Sequence, residues 1–275
     1  MSVLGVRSIV VLICTAATIG FAACGSDETV TETEPTSRID LVVGDIVPLT
    51  GPGAGLGVSA QKAAQLAVEE INDAVGEAEA EHTVEIVHQD ASALGARGAA
   101  KAVAENGATC VLGPWSRRGV AAAADELDAP AGPLLVSPQA GIGRAPGALG
   151  GRPVIGMPGL GPQRTLSPEN RDPDRDDPTA AFARLYTSSD PPISPALRTD
   201  ARQFDAVVLC YLAAVAAGDA DAKTTSGRIV PAGPQKAYSW LELTDAIEAL
   251  EEGERIVYAG ITTRVGIQPS PAAQS

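Results

Sequence analysis

Between positions 39 and 136, β-branched apolar runs alternate with small-residue helical patterns, and this constrains the fold more than any other feature of the chain. Residues 39–47 (IDLVVGDIV) form an apolar run bounded by Pro48, which reads as a buried strand. From 58 to 75 the apolar positions 60, 63, 64, 67, 68, 71, 74 and 75 fall on one helical face. Strands follow at 82–88, 108–112 and 133–136, with helices at 93–105 and 116–127 between them. The helix at 93–105 carries Gly95 and Gly98, which weaken it. Ser116 stands where an N-cap belongs. A βαβαβαβ order predicts an α/β fold: a doubly wound parallel sheet with helices on both faces and right-handed crossovers.

In such sheets ligands bind beyond the carboxyl ends of the strands. The segments there are the loop after Val47, then 89–92, 113–116 and 137–141. The loop 50–57 (TGPGAGLG) occupies the place of a dinucleotide fingerprint, but its glycines miss the required spacing: Leu56 or Val58 stands where the third glycine is needed. Ser116, at the head of a helix beside Arg117 and Arg118, offers a hydroxyl and free backbone N–H groups to a carboxylate. The plainer reading is a cap with two solvated arginines. His82 and His88 both flank one strand, and no base lies near Ser116 or Ser137 in sequence, so a Ser-His triad finds no support and the chain does not read as an enzyme. No metal-ligand spacing occurs, and no cofactor is expected.

After Gly141 the alternation stops. Residues 142–203 are rich in Gly, Pro, Arg and Asp, with a charge run at 168–178; only Val154-Ile155 and 179–186 read as ordered. Order resumes with an almost wholly apolar helix at 204–217, an amphipathic helix at 239–250 and a strand at 255–259, before a tail at 269–275.

The start of the chain reads as an address. Residues 1–23 hold one charge, Arg7, and an apolar run shorter than the ~20 residues a membrane span needs. The run ends Phe21-Ala22-Ala23-Cys24, which resembles a bacterial lipobox, with Cys24 as the lipidated residue; the alternative is an ordinary secretory signal cleaved at the alanine pair. The acidic stretch 24–38 reads as a tether. The expected location is outside the cell, anchored to the outer face of the membrane through Cys24. Cys14 would leave with the signal. Cys110, in a strand-like run, and Cys210, in a helix-like one, read as two buried free thiols, with pairing the alternative open to an exported protein. A net charge of −14 and few aromatics (3 Phe, 4 Tyr, 2 Trp) exclude a nucleic-acid partner.

Several segments together carry a family resemblance. The lipobox, the Pro48-Leu49-Thr50-Gly51-Pro52-Gly53 loop, Ala67-Val68-Glu69-Glu70-Ile71-Asn72, Gln89-Asp90-Ala91, Val111-Leu112-Gly113-Pro114-Trp115-Ser116, Val136-Ser137-Pro138-Gln139-Ala140, Phe204-Asp205-Ala206-Val207 and Ile256-Val257-Tyr258-Ala259-Gly260 occur in this order. They resemble the leucine and branched-chain amino-acid-binding lipoproteins of ABC importers, which have a type I periplasmic binding fold. The resemblance implies two lobes closing on an amino acid, a small-molecule ligand and an ABC permease as partners, and ligand contacts at Ser116, Ala140, Gly141 and Leu56. It assigns 39–141 to a first lobe, 142–203 to a loop-rich remnant of the second lobe and crossover, and 204–268 to a return segment completing the first. Gly141 stands where the family often has Thr, and Leu56 where it often has an aromatic. Ala237 and Leu243 replace a common Cys pair, and Ser92 and Trp115 replace other Cys positions. The curtailed second lobe implies impaired binding. The alternative is a non-binding or vestigial surface interaction module.

Overall fold

The computed structural model describes residues 38–127, 133–139, 154–157, 177–188 and 197–271. Five parallel strands form the main sheet in the order β2-β1-β3-β4-β5: β1 (Asp40–Val47), β2 (Thr83–Asp90), β3 (Cys110–Leu112), β4 (Leu134–Ser137) and β5 (Val154–Gly156). The expected α/β class and parallel pairing are therefore present. The strands are β-branched and lie between helical layers, as a parallel sheet covered on both faces requires.

Side chains alternate across β1. Leu41 and Val43 enter one core with α1 (Ala54–Glu77) and α5 (Leu197–Ala217). Ile46 enters the other, with α2 (Ala91–Glu105) and α3 (Arg117–Glu126). The α1 face is mostly alanine (Ala60, Ala63, Ala64, Ala67), which lets α5 lie close against it. Residues 204–214 of α5 are all buried, as a run that is apolar except for Asp205 requires. Each fully buried Val, Leu or Phe of this helix contributes about 1.5–3 kcal/mol of transfer energy.

Several boundaries differ from the sequence expectation. The glycine-rich segment is not loop throughout. A 3-10 turn covers Gly51–Gly53, and α1 starts at Ala54, so Gly55, Leu56 and Gly57 form its first turns. Packing explains the last glycine of the segment, since a Cβ on Gly57 would collide with the carbonyl oxygen of Pro48. The weakness expected of α2 is a kink at Gly95, whose φ of 68° is left-handed. Helix α5 begins at Leu197, inside the segment expected to be loop, and is preceded by α4 (Pro178–Ser188). Its first turns bury Asp200, Ala201 and Gln203, and polar side chains on an inward face conceal the apolar period.

The return segment contains more sheet than expected. After α6 (Ala222–Ser226), β6 (Ile229–Val230), β7 (Ala237–Tyr238), β8 (Ile256–Ala259) and β9 (Arg264–Ile267) form a second sheet in the order β6-β9-β8-β7. Two of these strands have only two residues each, too short to leave a periodic signal. A 3-10 turn at Trp240–Glu242, capped reciprocally by Ser239 and Glu242, leads into α7 (Leu243–Glu251). The start of the expected tail is docked: Ser270 N donates to Ala216 O at 2.7 Å, and Arg228 Nη1 to Pro269 O at 3.0 Å.

Cys110 and Cys210 are bonded, which corrects the reading of two free thiols; their Cα atoms are 6.1 Å apart. The physical reason is facing geometry. Cys110 points from β3 into the core beneath α5, and Cys210 is buried on that helix in the same core.

Asp205 fixes α5 to the second sheet. Its carboxylate is fully buried and accepts from Tyr258 Oη (2.8 Å), Ile261 N (3.0 Å), Thr262 N (2.6 Å) and Thr262 Oγ1 (2.7 Å). Burial pushes its pKa up, while the bonds from Thr262, Tyr258 and Ile261 pull it down. A Cβ on Gly260 would collide with Asp205 Oδ1.

Candidate functional site at the carboxyl edge of the sheet

The parallel order β2-β1-β3-β4 brings the segments after these strands to one edge. The first pair is joined by Asp90, which caps α2. Its carboxylate accepts from Ser92 N (2.8 Å), Leu49 N (2.9 Å) and Thr50 Oγ1 (2.6 Å). These bonds, the one from Thr50 foremost, hold its pKa down to about 2. Asp90 is thus an acceptor engaged in shaping the edge.

Beyond β3 the chain turns through Gly113, whose φ is 84°; a Cβ there would collide with Ile46 O. Gly113 N donates to Val136 O at 2.9 Å, tying this turn to β4. Trp115 is half-buried, and its Nε1 is buried with no hydrogen-bond partner among the described residues.

Ser116 is exposed and caps α3, with Oγ accepting from Gly119 N at 3.0 Å. The hydroxyl proton is not used by that bond. The N–H groups of Arg117 and Arg118, at the first helical positions, have no intrahelical acceptor. Both arginine side chains are exposed. The helix dipole adds positive potential. The ensemble is a donor-rich spot able to accept a carboxylate, in a chain whose net charge is −14.

Leu56, in the first turn of α1, is 45% exposed, and Leu94, at the head of α2, is 50% exposed. Leu56 and Ser116 therefore stand on elements that follow the neighbouring strands β1 and β3. Ala140, Gly141 and Cys24 lie outside the described residues.

Sequence reasoning did not find two ties at this edge. Gln139 Nε2 donates to Thr199 O at 2.9 Å, linking the segment after β4 to the start of α5. Asp45 on β1 is fully buried and accepts from Gln203 Nε2 (2.6 Å) and His88 Nδ1 (2.8 Å). A charged residue in an apolar strand was the available signal, since it demands a partner. Its partners lie 43 and 158 residues away, beyond the reach of local pattern.

Among the described residues, no group of His, Cys, Asp and Glu has the arrangement of a metal site, and no helix is long and apolar enough to cross a membrane.

Known proteins resemble the chain only distantly. No protein-family pattern matches it, and no curated protein does. Among solved structures, the isoleucine-bound substrate-binding protein LivJ of a branched-chain amino acid transporter from Streptococcus pneumoniae is 31% identical over 37% of this chain and 29% of its own, with a TM-score of 0.32. A leucine-binding protein LivK from Thermotoga maritima is 14% identical over 79% of this chain and 69% of its own, with a TM-score of 0.33. The C-domain of LpoA from Haemophilus influenzae, a regulator of PBP1A, is 20% identical over 42% of this chain and 32% of its own, with a TM-score of 0.26. The matched part spans less than a third of the length of the pneumococcal protein.

Proposed function

We propose that the chain is a non-enzymatic extracytoplasmic solute-binding lipoprotein. It would capture a branched-chain or related amino acid for an ABC permease and be held at the outer face of the membrane through a lipidated Cys24. The observation that carries this reading is the amino end of α3, where Ser116 and the unpaired N–H groups of the first turn face out from the carboxyl edge of a parallel sheet. That arrangement suits the carboxylate of an amino acid, and the exposed Leu56 suits an apolar side chain.

Binding is expected to be weak. In the resembled family a second lobe closes over the ligand and excludes water, which strengthens every polar contact. Here 142–178 stand in its place, apart from β5, which pairs with β4 in the main sheet.

A second reading, a surface interaction module, is favoured by two observations: Asp90 is fully engaged in internal bonds, and Leu56 and Leu94 leave apolar surface at the same edge. Calorimetric titration with leucine, isoleucine and valine separates the two. Weak saturable heat for any of them supports capture. No heat at any concentration favours the module, and a micromolar constant would sink the impaired-binding part of the proposal.

A further inference from the structure

Among the described residues, two buried acceptors on α5 have no donor: Asp200 Oδ1 and Gln203 Oε1. They are three residues apart on one helix, so their side chains are neighbours. Both residues are fully buried. Asp200 Oδ2 is already taken, accepting from Ser59 Oγ on α1 at 2.8 Å. Ser59 in turn is met by Tyr186 of α4, whose hydroxyl donates to Ser59 O at 2.8 Å. The orientation of the Gln203 amide is set from its other side, because Nε2 must face the Asp45 carboxylate 2.6 Å away. Gln203 Oε1 is therefore fixed as an acceptor in need of a proton.

One proton satisfies both orphans. We propose that Asp200 is held as the neutral acid at neutral pH, its Oδ1–H donating to Gln203 Oε1, and that this proton closes a hydrogen-bond chain from Tyr186 through Ser59, Asp200, Gln203 and Asp45 to His88. The chain starts in the core between α1, α4 and α5, and it ends on the partly exposed imidazole of His88 on β2. It joins three helices to β1 and β2 near the edge where the candidate site lies. It is a proton-dependent clamp: when Asp200 ionises, Oδ1 and Gln203 Oε1 become two facing acceptors, and the tie between α5 and β1 loosens.

Burial, rather than the groups around Asp200, favours its neutral form. Ser59 faces it from α1 and Tyr186 from α4; Asp45 from β1 faces Gln203, one turn further along α5, and His88 from β2 faces Asp45. No salt bridge reaches Asp200 among the described residues. Burial raises its pKa, and the neighbouring hydroxyls of Ser59 and Tyr186 oppose that shift. Asp200 lies in the first turn of α5, where the helix dipole favours a carboxylate, but its side chain is turned onto Ser59 and makes no capping bond among the described residues.

The rival is a water bridging an ionised Asp200 to Gln203, since water can donate to both acceptors. Two measurements separate them. In carbon-13 NMR of the full chain, with the Asp200 signal assigned by its loss in D200N, the carboxyl carbon is expected at the neutral-acid position at pH 7. An ionised position at pH 7 would overturn the proposal. In urea unfolding, D200N supplies the missing donor by its amide; because the folded parent keeps a proton that the unfolded chain releases above the ordinary carboxylate range, the stability of D200N relative to the parent is expected to rise with pH from that range up to the folded Asp200 pKa and to level off above it. A D200N protein less stable than the parent by the same margin at every pH from 6 to 9 would also overturn it. D200A, which leaves Ser59 and Gln203 unsatisfied, should lose stability throughout and marks the scale of a simple structural loss.

Discussion

The carboxylate of Asp90, at the end of β2, accepts a 2.6 Å hydrogen bond from Thr50 Oγ1 in the segment that follows β1. This bond, with those from Leu49 N and Ser92 N, makes one side chain the organiser of a helix start and of the neighbouring loop. The pKa of Asp90 is lowered to about 2, so its contribution to stability is present above the ordinary carboxylate range and is lost as pH falls toward 2. Asp90→Asn should therefore unfold at lower urea than the parent at pH 7, and the gap should close on acidification. An equal gap at every pH would mean that the charge of Asp90 is not what the site uses.

The glycines of α1 provide a matched pair. Gly57→Ala places a Cβ against the Pro48 carbonyl and should lower stability by about 1–3 kcal/mol. Gly55→Ala meets open space within the same helix and should gain up to about 1 kcal/mol from helix propensity. Thermal unfolding of the two variants should move in opposite directions.

Asp205→Ala removes the acceptor for Tyr258 Oη, Thr262 Oγ1 and the N–H groups of Ile261 and Thr262. Leaving these donors unmatched should cost about 2–5 kcal/mol in urea unfolding. Reducing the Cys110–Cys210 bond should cost about 2–4 kcal/mol by the same method, because it closes a loop of 100 residues in the unfolded chain.

Cys24→Ala should shift the protein from the membrane fraction to the released fraction when it is expressed in a bacterium. An unchanged distribution would remove the lipid anchor from the proposal.

The parallel sheet was legible because its evidence is local: β-branched runs, a helical apolar period in 58–75 and a cap at Ser116 each occupy a few consecutive residues. The second sheet was not, because β6 and β7 are two residues long and acquire meaning only by pairing with β9 and β8. The start of α5 was hidden for a related reason, since Asp200 and Gln203 are polar side chains on a buried face. The bond between Cys110 and Cys210 needed the packing of α5 on β3, which no spacing encodes. At the candidate site, Ser116 announced itself as a cap, whereas Gln139 and the Asp45–His88–Gln203 contacts depend on partners distant in sequence.

Whether the carboxyl edge captures an amino acid is tested most directly by following backbone amide NMR signals during titration with isoleucine. The expected result is saturable movement of signals from 113–119 and 49–57, with a dissociation constant on the order of millimolar. Unmoved signals at that edge, at every isoleucine concentration up to its solubility, would overturn the solute-binding reading.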